Sequence, residues 1–170
     1  MNRISPQATI GKGTVCHSDD AMICPGAVIG KNCKIGNGAF ICPDVVIGDG
    51  VFVAQCVTFI NDNYPRAINP DGTLKESGDW QPLKTVVKYG ATIGANSTVL
   101  GGVTIGEWAL IGAGSVVTRD VPAYAKVFGN PGRVVGWVDE AGNPVTFPPS
   151  TYQMANELDA KMAQIVEDKT

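Results

Sequence analysis

Few side chains in this sequence are suited to catalysis, and two of the best candidates, Asn61 and Asp62, are adjacent. A carboxamide and a carboxylate together can accept hydrogen bonds from an attacking N–H or O–H group and thereby orient it. The same pair also suits an Asx turn at the start of a loop, and the sequence leaves both readings open. The only histidine, His17, lies far from this pair in the chain. Histidine is the commonest general base, but a structural or surface role for His17 is equally open.

The numbers of histidines and cysteines disfavour metal and redox chemistry. The chain has one histidine and five cysteines, and no two cysteines form a Cys-x-x-Cys pair. A zinc site commonly needs four such ligands, so we expect no metal, and a carbonic-anhydrase type of site with three imidazoles is not predicted. An odd number of cysteines favours small reduced thiols over a disulfide framework.

Composition and charge narrow the class of protein further. The 170 residues are 44% hydrophobic and 17% charged, which is typical of a folded domain. The net charge of −3 gives no basic surface for nucleic acid. No apolar run reaches membrane-spanning length, and the first residues lack the apolar core of a signal peptide. We therefore expect a cytoplasmic protein with neither a nucleic acid nor a membrane as partner.

A period of six residues predicts the architecture that must position these groups. Aliphatic or aromatic residues recur at every sixth position in two runs: Ile23, Ile29, Ile35, Ile41, Ile47, Val53 and Phe59, then Val87, Ile93, Val99, Ile105, Ile111 and Val117. A small or β-branched residue comes four positions after most of them. This pattern predicts an all-β parallel β-helix, in which three hexapeptides form one 18-residue triangular coil and both residues point inward. Coils would stack about 4.8 Å apart, as strands do in a sheet.

The corners and the irregularities of the repeat follow from this geometry. Glycines after the inward aliphatic residue, together with Asn32, Asn37 and Asn96, are predicted at corners where positive φ is inexpensive. The register slips by one residue across 15–22. Cys24 and Cys42, one coil apart, are predicted to stack as a ladder of thiols.

Three segments depart from the coils. Residues 60–86 are too long for a coil and are predicted to leave the β-helix domain (1–122) as a structureless, protruding loop. An extension at 123–149 contains a predicted strand at 134–138 and then a turn. Residues 150–170 are predicted to form a short C-terminal helix, with an apolar face made by Met154, Leu158, Met162 and Ile165.

The repeat, the loop and the segment 112–122 resemble the left-handed β-helix acyl-coenzyme A transferases. Within that family, 59–66 (Phe-Ile-Asn-Asp-Asn-Tyr-Pro-Arg) is similar to the loop of nucleotide-linked 3-amino-sugar N-acetyltransferases. The tail at 129–133, followed by 136–138, is most similar to enzymes that acetylate a UDP-linked 2-acetamido-3-amino-2,3-dideoxy uronic acid. The resemblance implies a left-handed coil, a homotrimer with acetyl-CoA sites between subunits, and a role in bacterial surface-polysaccharide sugar synthesis.

The resemblance and the repeat together suggest which residues bind the substrates. Stacked corners would hold the pantetheine arm of acetyl-CoA, and nearby cations would bind its phosphates. The pantetheine candidates are Gly94, Ala95, Gly112 and Ala113, and the phosphate candidates are Arg119, Lys126 and Arg133. In the loop, Tyr64 and Trp80 are candidates for packing on the sugar or the uridine, and Arg66 for pairing with a phosphate or a sugar carboxylate. Turn geometry, loop anchoring and surface charge remain open as plainer roles.

The acceptor is predicted from the absence of a base in the loop. Transfer to a hydroxyl needs a base such as histidine, whereas a neutral amine attacks without one. We therefore predict direct attack by the C3 amine of the UDP-linked uronic acid, oriented by Asn61 and Asp62, with His17 as a third catalytic candidate. The alternatives are a dTDP-linked 3-amino-3,6-dideoxyhexose as substrate and a β-helix scaffold subunit without catalytic activity.

Overall fold

The computed structural model describes residues 3–17, 20–76 and 78–149. The described chain is a solenoid of short strands arranged in three mainly parallel sheets, one on each side of a triangular prism. The first sheet contains β1 (Thr9–Ile10), β4 (Val28–Ile29), β7 (Val45–Ile47), β10 (Thr85–Val87) and β13 (Thr104–Ile105). The second sheet contains β2 (Val15–Cys16), β5 (Lys34–Ile35), β8 (Phe52–Val53), β11 (Thr92–Ile93), β14 (Leu110–Ile111), β16 (Ala125–Phe128), β17 (Arg133–Val138) and β18 (Pro144–Val145). The third sheet contains β3 (Met22–Ile23), β6 (Phe40–Ile41), β9 (Thr58–Phe59), β12 (Thr98–Val99) and β15 (Val116–Val117).

The strand register confirms the all-β solenoid and its coil length. Val28 pairs with Val46, eighteen residues further along, and the same step recurs in the other two sheets. Earlier in the chain Val15 pairs with Lys34, a step of nineteen, so one extra residue lies between β2 and β3, as the sequence predicts.

The residues predicted to point inward form the core. Every sixth-position residue from Ile23 to Val117 is buried, and Phe59 is the largest fully buried side chain. The small residues that follow four positions later are buried with them, and Ser97 and Ser115 both donate their hydroxyl hydrogens to the carbonyl of Gly112 (3.1 and 2.7 Å). Since buried hydroxyls cost free energy unless they are hydrogen bonded, these contacts explain why serine is tolerated there.

The corners work differently from the prediction in one respect. Asn32 and Asn96 do have positive φ, but at the third predicted asparagine the positive φ belongs to the next residue, Gly38. The glycines directly after the inward aliphatic residues are needed for space. A Cβ atom on Gly94 would lie 2.5 Å from the backbone nitrogen of Ala113 on the next coil, which no real Cβ atom tolerates.

The loop leaves the solenoid after β9 and returns at β10. Thr85 and Val86 already pair with Val45 and Val46 of the coil below, so the last two residues of the predicted loop belong to the coil. The loop is also not structureless. It contains a small hairpin between Ala67 and Lys75, closed by hydrogen bonds such as the one from the Asn69 N–H to the Thr73 carbonyl (2.8 Å).

The described part of the C-terminal extension continues the second sheet. β16 pairs in parallel with β14, so the parallel ladder reaches beyond residue 122, and β17 and β18 then add antiparallel strands. The predicted strand at 134–138 corresponds to β17. The predicted helix at 150–170 lies outside the described residues. Among the helices of the described part, none is long and apolar enough to span a membrane.

Candidate active site

Two edges of the third sheet carry nearly all the predicted site residues. We call the edge where the third sheet meets the first the loop corner, because the loop leaves the prism there after Ile60. We call the edge where the second sheet meets the third the glycine corner, because it holds Gly94 and Gly112. Backbone hydrogen bonds define both columns: Ile60 N–H donates to Val99 at the loop corner (2.9 Å), and Gly94 N–H donates to Ile111 at the glycine corner (2.8 Å).

Asn61 and Asp62 form the lip of the loop and are both half-buried. The Asp62 carboxylate accepts a hydrogen bond from the Tyr64 N–H (2.8 Å), which is the Asx turn that the sequence offered as the plainer role. Its second oxygen accepts no hydrogen bond from the described residues, and the same holds for the Asn61 carboxamide. The turn therefore uses only part of the hydrogen-bonding capacity of this pair, and the remainder can orient a substrate amine.

Two cysteines lie directly below the lip. Burial, followed by the nearby Cys24 thiol, raises the pKa of Cys42 to about 11, and a hydrogen bond from the Asn61 N–H opposes this shift. Burial also raises the pKa of Cys24. The thiols are neutral near pH 7, so this ladder packs against the loop and does not supply a nucleophile.

His17 belongs to the glycine corner and not to the loop corner. Its N–H donates to Ile35 (2.9 Å), and the residues above it in the column continue through Gly36 to Gly94. His17 is exposed and lies three coils below Gly94, or about 14 Å along the column. Within one chain, the width of the third sheet therefore separates His17 from Asn61 and Asp62.

The predicted pantetheine residues stack on each other, as expected from their spacing. Gly114 N–H donates to the Ala95 carbonyl (2.8 Å), which fixes the Gly112-Ala113 turn directly above the Gly94-Ala95 turn. Ala95 is half-buried and Ala113 is exposed, whereas Gly112 is buried against the Phe128 ring, so the two alanines form the open part of the track. An extended chain can approach the backbone closely there.

The predicted cations fall into two groups. Arg119 and Arg133 line one pocket near the C-terminal end of the solenoid, together with Thr118 and Gly132. Lys126 is not part of that lining; it lies on β16 with its ammonium 5.5 Å from the centre of the Phe128 ring. The structure thus brings two of the three predicted phosphate ligands together.

The loop residues predicted to bind the sugar are not packed into a site within one chain. Tyr64 is 83% exposed, and Trp80 is half-buried. The Arg66 guanidinium donates to the Pro65 carbonyl (2.9 Å) and is otherwise exposed. Each of them has surface available for a ligand or for another subunit.

Sequence reasoning missed Asn63, whose side chain ties the loop to the coil above. Its carboxamide donates to the Gly101 carbonyl and accepts from the Gly101 N–H, both at 2.9 Å. The only sequence signal is that Gly101 and Gly102 are adjacent, whereas other corners with two glycines have them two positions apart, as at Gly48 and Gly50. The partners are 38 residues apart, so the contact becomes visible only once the loop is placed over its coil.

The family comparison agrees with the observed coils. The profile described as bacterial transferase hexapeptide (six repeats) matches residues 26–61 and 84–119, and that of the hexapeptide repeat of succinyl-transferase matches 8–43. Together these ranges cover more than half of the chain and leave out residues 62–83 of the loop.

Individual relatives are acetyltransferases. The chain is 53% identical over 64 residues to a dTDP-3-amino-3,6-dideoxy-alpha-D-galactopyranose 3-N-acetyltransferase of Aneurinibacillus thermoaerophilus, covering 38% of this chain and 33% of that protein. It is 39% identical over 143 residues to serine acetyltransferase 4 of Arabidopsis thaliana, covering 84% and 32%. The chain thus spans about a third of the length of these relatives.

A solved serine acetyltransferase in complex with CoA shares the fold, with a TM-score of 0.54 and 32% identity over 69% of this chain and 43% of that one. The coils of this solved structure, the family profiles and the individual relatives agree on the family. The chain belongs to the hexapeptide-repeat transferases, and among them it resembles the amino-sugar N-acetyltransferases.

Proposed function

We propose that this chain transfers the acetyl group of acetyl-CoA to the C3 amine of a nucleotide-linked 3-amino sugar. The observation that carries the proposal is the lip of the loop, where Asn61 and Asp62 keep unused hydrogen-bonding groups and no histidine is present. The 3-N-acetyltransferase relative supports the same acceptor group.

The choice of an amine over a hydroxyl depends on the position of His17. A hydroxyl must lose its proton as it attacks, so a serine acceptor needs a base at the reacting oxygen. Within one chain the only histidine lies across the third sheet from the lip, and on a neighbour's glycine corner it would lie two coils, or about 10 Å, below the level of the lip. The serine acetyltransferase relatives therefore support the acyl donor, whereas the lip favours an amine acceptor.

The proposed mechanism is direct attack without an acyl-enzyme. The amine lone pair forms a bond to the thioester carbonyl carbon, and the tetrahedral intermediate then collapses as the C–S bond breaks. CoA leaves as a thiolate, and the amine's extra proton passes to that thiolate or to Asp62. Asn61 and Asp62 contribute mainly by orientation, and a backbone N–H at a turn stabilises the oxyanion.

The acetyl donor would lie on the glycine corner, with its pantetheine arm along the turns at Gly94 and Gly112. Arg119 belongs to the loop corner, one coil above Gly101, and shares its pocket with Arg133. Since the two corners bound opposite edges of one sheet, a single chain does not bring donor and acceptor together. We propose a homotrimer in which the glycine corner of one subunit faces the loop corner of its neighbour.

Two nucleotide sugars compete as acceptors. The relative in Aneurinibacillus thermoaerophilus favours a dTDP-linked 3-amino-3,6-dideoxyhexose. The UDP-linked 2-acetamido-3-amino uronic acid is the second candidate, and the exposed guanidinium of Arg66, near the lip, is the group available to pair with its carboxylate.

The proposal is tested by thiol release from acetyl-CoA with a panel of acceptors. The panel contains both 3-amino nucleotide sugars, their 3-hydroxy analogues and L-serine. We expect turnover with at least one 3-amino sugar and little with the 3-hydroxy analogues or serine. Preferential use of serine or of the 3-hydroxy sugars would refute the amine acceptor, and failure to bind or consume acetyl-CoA would favour a scaffold subunit without catalytic activity.

A further inference from the structure

The Asn63 side chain connects the loop to the coil above it. Among the described residues, it is the one side chain of the loop that hydrogen bonds to a coil. Its Nδ2–H donates to the Gly101 carbonyl and its Oδ1 accepts from the Gly101 N–H, each at 2.9 Å. A carboxamide satisfies both backbone groups at once, because it presents one donor and one acceptor side by side.

Gly101 is buried against both ends of the loop. A Cβ atom at this position would lie 2.9 Å from the Leu83 Cβ, 3.1 Å from the Ile60 carbonyl oxygen and 3.2 Å from the Asn61 Cα. The departing and returning segments of the loop therefore pack directly against this glycine. They also bind each other, since the Leu83 N–H donates to the Asn61 carbonyl (2.8 Å).

The rest of the loop is held by its own contacts. The Asn69 carboxamide binds Thr73 (3.2 Å) and Asp79 (3.0 Å), all within the loop. Tyr64 and Leu74 are largely exposed, so they do not pack this part of the loop onto the prism. Among the described residues, the bonds between Asn63 and Gly101 are thus the side-chain hydrogen bonds that hold the lip to the coil above, while the Asn61 N–H lies next to Cys42 below.

We propose that Asn63 is the positioning residue of the site: it holds Asn61 and Asp62 at the height of the coil where the acceptor amine must meet the thioester. Its carboxamide is occupied by Gly101, so it acts through these two neighbours and does not touch the substrate. The inference rests on the proposed function and adds the residue that sets its geometry.

The kinetic test compares Asn63→Ala and Asn63→Asp with Asn69→Ala, which removes a loop carboxamide that does not reach the coils. We expect Asn63→Ala to lower kcat by about 10- to 100-fold, because a displacement near 1 Å in an active site costs up to that much. KM for acetyl-CoA should stay within about twofold, since the glycine corner is untouched. Asn63→Asp should lower kcat to a similar extent, because its carboxylate has no hydrogen to donate to the Gly101 carbonyl. Asn69→Ala should change kcat by less than about threefold.

Equal losses in Asn63→Ala and Asn69→Ala, or an unchanged kcat in Asn63→Ala, would overturn the inference. Hydrogen exchange gives a readout that does not depend on the identity of the sugar. Asn63→Ala should speed exchange at the Gly101 amide and across 61–64 and leave 98–100 unchanged, and unaltered exchange at Gly101 would also refute the positioning role. If the wild-type chain acetylates no 3-amino sugar, the proposed function fails while the exchange data still decide whether Asn63 sets the lip.

Discussion

The glycine corner and the loop corner are built from the same coils but are specified in different ways. Above the slip near His17, the positions of the glycine corner are fixed by the repeat, since Gly94 and Gly112 follow inward residues one coil apart and their backbones bond through the regular ladder. At the loop corner the repeat ends at Ile60, and the lip is positioned by individual contacts to Cys42 and Gly101. Under the proposed function, the regular coils would provide the binding track for the donor, whereas acceptor specificity would depend on the inserted loop.

The largest expected effect comes from removing the loop while keeping the coils. The Asn61 carbonyl and the Leu83 N–H already bond to each other, so residues 62–82 can be replaced by an Asn-Gly turn. We expect turnover to fall by on the order of 10³-fold because the acceptor is no longer positioned. Thermal unfolding and calorimetric binding of acetyl-CoA should change little. A collapse of the fold would show that the loop also stabilises the coils.

The second prediction tests whether the two corners meet between subunits. The loop-deleted chain keeps a normal glycine corner, and Ala113→Glu blocks that corner at an exposed position while keeping the loop. Each variant alone should be nearly inactive. A productive interface needs the loop of one variant and the glycine corner of the other, and each is present in about half of the subunits. Co-expression in equal amounts should therefore restore about a quarter of the wild-type rate. A mixture as inactive as its components would place both halves of the site within one chain.

The third prediction concerns the stability of the repeat compared with that of the loop. Gly94→Ala puts a methyl group into the backbone of the next coil, and Gly78 in the loop has nothing within 4 Å of the same position. We expect Gly94→Ala to cost about 3 kcal/mol, or roughly 10 °C in Tm, as overpacking does. Gly78→Ala should stay within about 0.5 kcal/mol. Calorimetry of both variants provides the comparison, and equal Tm values would contradict it.

The sequence predicted the coils well because a period of six leaves no freedom in which side chains face inward. The stacking of Gly94 on Gly112 and the slip near His17 both follow from counting residues. The sequence did not distinguish the two roles of glycine, since a lack of space for a Cβ atom and a positive φ both favour this residue. The sequence did not predict the hairpin in the loop, because the residues that form its hydrogen bonds, such as Asn69, do not recur at a fixed spacing. The Asn63 contact joins residues 38 apart, a distance that local pattern cannot reveal.

The smallest expected effect is a pH dependence of stability at the base of the lip. The folded chain raises the pKa of Cys42 to about 11, above the ordinary value of 9.0, so the folded state holds this proton more tightly than the unfolded state does. The contribution of the Cys42 proton to the free energy of unfolding is fully present below about pH 9 and is lost as the pH rises through about 11.

Between about pH 8.5 and 10.5, the Tm of the wild-type chain should therefore fall by about 3 °C more than that of Cys42→Ala, after allowance for partial solvent screening. Cys56→Ala, at an exposed cysteine, is the matched control and should follow the wild type. Parallel curves for all three chains would mean that the Cys42 thiol is open to water. The Gly101 contacts would then be what holds the lip to the coils, and the loop corner would depend on fewer contacts than described above.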